Sequence, residues 1–118
     1  METLLMTTPT SGEFLTTVRL TTGGLCALVG FDVDSTEDFK VCVTESLLIL
    51  KRNGYSAASI TFTVGEALGC EIKGVGEQGE IEENIEDEIS YALLGALLGK
   101  VEFVKNDGGR VVSIAFEG

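Results

Sequence analysis

Glu45 is the first residue to weigh for chemistry, because it is an acid among apolar residues, with Val43 and Leu47 two positions to either side. A carboxylate in an apolar pocket can have its pKa raised toward neutrality and serve as a general base. Taken alone, Glu45 reads as a helix-surface acid one residue off a buried stripe, and that plainer reading prevails. No chemistry is assigned to the hydroxyls of Ser11, Thr44 and Ser46. The 118 residues include no histidine, which removes the Ser-His and Cys-His nucleophile pairs and the usual zinc ligand. Cys26, Cys42 and Cys70 lack metal-ligand spacing and lie in apolar stretches, as small core residues do. No metal site is expected, and any chemistry rests on carboxylates, lysines or a nucleotide.

A second candidate is Gly74-Val75-Gly76 with Gly79, placed between a strand pattern and a helix pattern where phosphate-cradling loops occur. The spacing fits neither the dinucleotide nor the P-loop fingerprint, and no lysine follows at the phosphate position. Glu80, Glu82, Glu83, Glu86, Asp87 and Glu88 follow closely. They put negative potential where an anion would sit. Acids favour a helix N-terminus, so a turn leading into a capped helix accounts for the whole stretch.

The elements that must position these residues follow from period and punctuation. Ser35 to Tyr55 reads as a central helix, capped by Ser35, with Phe39, Cys42, Val43, Leu47 and Leu50 as its buried stripe. Lys51 and Arg52 suit the negative end of its dipole, and Asn53-Gly54 closes it. Thr3 to Thr8, ended by Pro9, suits an edge strand. Ser11 to Phe31 is ambiguous: its threonines around Gly23-Gly24 suit a hairpin, while Phe14, Val18, Thr21, Leu25 and Val29 keep helical spacing behind a Ser11 cap. Ile60, Phe62 and Val64 alternate with polar residues, a turn spans Gly65 to Gly69, and Cys70 to Val75 supplies an antiparallel neighbour before the glycines break the pattern. A helix is expected from Glu80, with Ile81, Ile85, Ile89, Leu93 and Leu97 on its buried face and Gly99 as its stop. Val101 to Lys105 and Arg110 to Phe116 flank the hairpin turn Asn106-Asp107-Gly108-Gly109. The predicted class is α+β, a two-layer sandwich with helices covering one face of a mainly antiparallel sheet.

Composition sets the outer limits. One domain over residues 1–118 is expected, and 44% hydrophobic residues make it a folded globule. A net charge of −11, from 19 acids against 8 bases, argues against nucleic acid and anionic lipid as partners and suits a basic protein. The lack of a long apolar run or a signal-peptide layout predicts a cytoplasmic chain with no membrane association.

Pro9, Glu13-Phe14, Val18-Arg19-Leu20 and the segment Asp38-Phe39-Lys40-Val41-Cys42-Val43-Thr44-Glu45-Ser46 together resemble the bacterial anti-sigma factor, serine-protein kinase family. Tyr55 lies where that family often has an aromatic residue, and the similarity in order and spacing covers nearly the whole chain. The resemblance implies a Bergerat, histidine-kinase-like ATPase fold, and it is the reason for reading Ser11 to Phe31 as a helix. In the family the glutamate matching Glu45 is the base that prepares the attacking hydroxyl. The family's magnesium-holding asparagine corresponds here to Ile49, its adenine-reading aspartate to Gly74, and the glycine after it to Gly76. Where the family has a lid and a glycine-rich loop, this chain is too short for a lid and has Asp87-Glu88-Ile89-Ser90. An isoleucine offers a hard cation nothing, and phosphoryl transfer depends on positioning and charge neutralisation. The resemblance therefore implies a degenerate member without cofactor, in which Glu45 is a vestigial base and Gly76 a remnant of the nucleotide site. Its expected partners are a sigma factor or an anti-sigma antagonist, and dimerisation is carried over from the family. The alternatives are an active serine-protein kinase using ATP and magnesium, and a structural or sensory module outside transcription control.

Overall fold

The computed structural model describes residues 1–82, 85–98 and 100–118. The elements run β1 (Glu2–Pro9), a 3-10 turn (Gly12–Phe14), α1 (Leu15–Leu28), α2 (Val33–Arg52), β2 (Tyr55–Val64) and β3 (Leu68–Gln78). They continue with α3 (Ile85–Leu98), β4 (Val101–Lys105) and β5 (Val111–Glu117). This is the predicted order. The strands form one sheet in the order β1-β2-β3-β5-β4, with every pairing antiparallel. The fold is mixed α+β, an antiparallel sheet covered by helices.

α2 lies at the centre because it is buried from three directions. Phe39, Cys42, Val43, Leu47 and Leu50 are fully buried, as the stripe predicts. They meet Ala58, Ile60 and Phe62 of β2, Leu68, Cys70 and Ile72 of β3, and Ile114 and Phe116 of β5. α1 packs along one side of α2 and α3 along the other. At alternate positions β2 and β3 carry the buried set, while Ser59, Thr61 and Thr63 are half-buried and Glu71 and Lys73 exposed, so the second face of the sheet is polar.

α1 forms despite poor propensity. Its threonines bond back along the helix, Thr21 Oγ1 to the Thr17 carbonyl at 3.0 Å and Thr22 Oγ1 to the Val18 carbonyl at 2.8 Å. Burial of Val18, Thr22, Leu25 and Cys26 beside α2 holds it. A Cβ on Gly23 would meet only the far end of the flexible Lys40 side chain, 2.8 Å from its Cε. The helix ends at Gly30 (φ 80°), with the Phe31 amide bonded to the Cys26 carbonyl and the Gly30 amide to that of Ala27. That is a Schellman stop.

Five local expectations are corrected. Asp32, not Ser35, caps α2: its carboxylate accepts from the Ser35 amide at 2.7 Å, and that bond holds the Asp32 carboxyl below its ordinary pKa. Ser11 precedes the 3-10 turn but makes no side-chain cap bond. Gly74 and Gly76 do not break the strand, because β3 runs on to Gln78. The register with β2 slips between Tyr55 and Ala57, and Gly76 (φ 86°) supplies the bulge residue there. Glu80, Ile81 and Glu82 are not part of α3, which is described over Ile85–Leu98, because the Gly79 amide bonds the Gly54 carbonyl at 2.8 Å and the Glu82 amide bonds the Arg52 carbonyl at 2.7 Å. Those bonds tie the strand exit to the end of α2 and hold it out of helical geometry. Finally, the buried face of α3 centres on Ser90 and Leu94, and Ile89 is 60% exposed. Glu83, Gly99 and the side chains of Ile85 and Glu86 lie outside the described residues.

Candidate functional site

The face of α2 toward α3 carries Glu45, Ile49 and Arg52 at helical spacing. Glu45 is half-buried, and its Oε2 accepts from Ser90 Oγ of α3 at 2.7 Å. Ser90 Oγ in turn accepts from Arg52 Nη2 at 2.8 Å, and Arg52 Nε donates to Asp87 Oδ1. Ser90 and Arg52 are both buried. A serine hydroxyl can donate once and accept as well, and here it bridges a carboxylate to a guanidinium. The result is a polar chain, Glu45–Ser90–Arg52–Asp87, that fastens α3 to α2. Ile49, between the two α2 members, is fully buried.

A serine hydroxyl 2.7 Å from a carboxylate also has the outline of an activated nucleophile. Ser90 is only 3% exposed. Clefts of about 280 to 540 Å³ at four places on the surface are lined by other residues than Glu45, Gly76 and Ser90. With Ser90 buried and bonded to both Glu45 and Arg52, the geometry of the pair suits helix packing.

Gly76 and Glu45 belong to different elements, Gly76 in the β3 bulge and Glu45 midway along α2. Gly74 faces the Tyr55 ring so closely that an added Cβ would fall 2.4 Å from its carbons. Tyr55 is itself buried and accepts from Gln78 Nε2 at 3.1 Å. At the two positions matched to adenine recognition and magnesium, the chain thus has a glycine covered by an aromatic ring and a buried aliphatic side chain. Neither position has a side chain that offers oxygen to a cation or a hydrogen bond to a base. The side chains at these two positions do not fit the roles that the resemblance assigns there to magnesium and adenine contacts. Among the described residues there is no group of three or more Cys, Asp or Glu placed to hold a metal ion.

The polar chain was only partly legible in sequence. Arg52 reads as a helix-dipole charge and Asp87 as one of six helix-start acids, yet both turn into a shared contact. The available signal was the spacing of Glu45, Ile49 and Arg52 on one face. Arg110 has no sequence signal at all: its Nη1 donates to the carbonyls of Asn53 and Gly79, the latter at 2.8 Å. Beside it Asn53 Oδ1 accepts from the Val111 amide at 2.9 Å. Together these stitch the end of α2 to the start of β5.

No family model matches the chain. A stretch of 45 residues is 42% identical to the serine-protein kinase RsbW of Halalkalibacterium halodurans, covering 38% of this chain and 28% of that kinase. The similarity is partial and indicates a distant link to that kinase family. No described helix is long and apolar enough to cross a membrane.

Proposed function

We propose that this domain is a regulatory protein of anti-sigma-factor type that works by binding another protein and has lost its nucleotide site. The observation that carries this reading is the α2–α3 contact, in which buried Ile49 and the Glu45–Ser90–Arg52–Asp87 chain occupy the helix face matched to the catalytic one. A scaffold of the Bergerat type would then serve as a rigid platform, with a sigma factor or an anti-sigma antagonist as its partner. The partial likeness to a serine-protein kinase supports the choice of partner class, and the net charge of −11 suits a basic binding segment.

Two measurements test it. Calorimetric titration with Mg-ATP is expected to give no heat of binding; saturable binding at micromolar nucleotide would restore the kinase reading. Purified sigma factors and anti-sigma antagonists from the same cell should include one that co-elutes with the domain. If none does, the domain belongs with structural or sensory modules instead.

A further inference from the structure

Where the start of α2 meets the end of α3 and the end of β5 lies a cleft lined by none of Glu45, Ser90, Arg52 and Asp87. Its volume is about 280 Å³, just below the range of about 300–1,000 Å³ typical of small-molecule sites. It is sized for one side chain. Phe31 and Phe39 line it, meeting edge to face with centroids 5.8 Å apart, and Leu97 of α3 adds an aliphatic wall. Asp38 and Glu117 line it as well. Neither carboxylate forms an ion pair with a lysine or arginine among the described residues. Lys40 is paired instead with Glu37 at 3.3 Å, and Lys100 borders a neighbouring cleft with Glu117 without reaching ion-pair distance. An apolar wall with two unpaired carboxylates is complementary to a cation on an aliphatic stem.

We propose that this cleft is the socket for a lysine or arginine side chain on a basic segment of the partner protein. The alkyl stem lies against Phe31 and Leu97, as long cationic side chains cover apolar surface, and the charged head sits at Asp38 and Glu117. The net charge of −11 steers such a segment inward and repels phosphate, nucleotide and nucleic acid. The proposal rests on the protein-binding reading and assigns it a place on the surface.

Heteronuclear NMR of the full chain tests it, with the blocked peptide Ac-Leu-Arg-Leu-Arg-Leu-NH2 as the probe. The same peptide with citrulline for both arginines serves as the uncharged control. The arginine peptide is expected to shift the resonances of Phe31, Phe39 and Leu97, and the citrulline peptide to leave them in place. The double change Asp38→Asn with Glu117→Gln should weaken arginine-peptide binding about fivefold while leaving the rest of the spectrum unchanged. Shifts centred on other acids, or binding that the double change does not alter, would overturn the socket. A sigma factor or antagonist that binds the doubly changed protein as tightly as the original also overturns it, while leaving the protein-binding reading intact. Arginine-peptide shifts in the cleft of a protein that captures neither class of partner would sink the partner reading and support the socket.

Discussion

Ser90 is the residue on which the α2–α3 contact turns, because its one hydroxyl serves both Glu45 and Arg52. Replacing it with alanine removes a donor and an acceptor together. Ser90→Ala is therefore expected to lower unfolding stability by about 1–3 kcal/mol. Arg52→Ala, which leaves Asp87 without its buried partner, should cost more, about 3–5 kcal/mol. Urea denaturation of the two variants checks both the size and the ranking. The cysteines give a second residue-scale expectation. Burial pushes the Cys42 thiol up to about 12, and burial also raises Cys26 and Cys70. Since the thiolate is the nucleophile, none of the three should be alkylated by iodoacetamide at pH 8 in the folded protein. All three should react once urea unfolds it, a difference read by intact mass. The cysteines were legible from their apolar neighbours alone. Glu45 was not, because its bonding partner stands 45 positions away on another helix. Local pattern carries no information about such a pair.

At the scale of elements, hydrophobic period located the strands, α2 and α3, the family resemblance decided α1, and the ends and faces depended on contacts that period does not encode. The stripe of α2 came out as read, since a helix buried on three sides has little freedom in which face it turns inward. On α3 the fourfold repeat of isoleucine and leucine misled. The helix turned Ser90 inward instead of Ile89, which lets Ser90 reach Arg52 and Glu45. The glycines of β3 were read as a break because glycine is poor in strands, yet Gly74 is there to admit the Tyr55 ring. Gly74→Ala should accordingly destabilise by about 1–3 kcal/mol through overpacking. The same change made in a Tyr55→Ala background should cost clearly less, because the clash is with that ring. Thermal melts of the four proteins in this cycle measure the coupling.

For the molecule as a whole, charge is the property that reaches furthest. With 19 acids against 8 bases, the folded state carries like charge packed more closely than the unfolded chain does. Screening should relieve that repulsion, since the Debye length falls from about 30 Å at 0.01 M salt to about 8 Å at 0.15 M. The melting temperature is expected to rise between 10 and 150 mM sodium chloride; a fall would mean that ion pairs such as Arg52–Asp87 outweigh the repulsion. The ordering of elements and the helix-on-sheet layering were readable at this scale. The strand order β1-β2-β3-β5-β4 was not, because nothing local says that β5 inserts between β3 and β4.

That strand order also sets a sequence of events in time. β2–β3 and β4–β5 are hairpins closed by short turns and can form early, whereas β1 must wait until two helices have brought Pro9 back to Ala57 and Glu2 to Val64. Closing that long loop is entropically costly, and the strand gains only one neighbour in return. β1, paired on one side alone, is thus expected to leave before β3 does. Its amides should lose hydrogen-exchange protection well before those of β3, which is held from both sides.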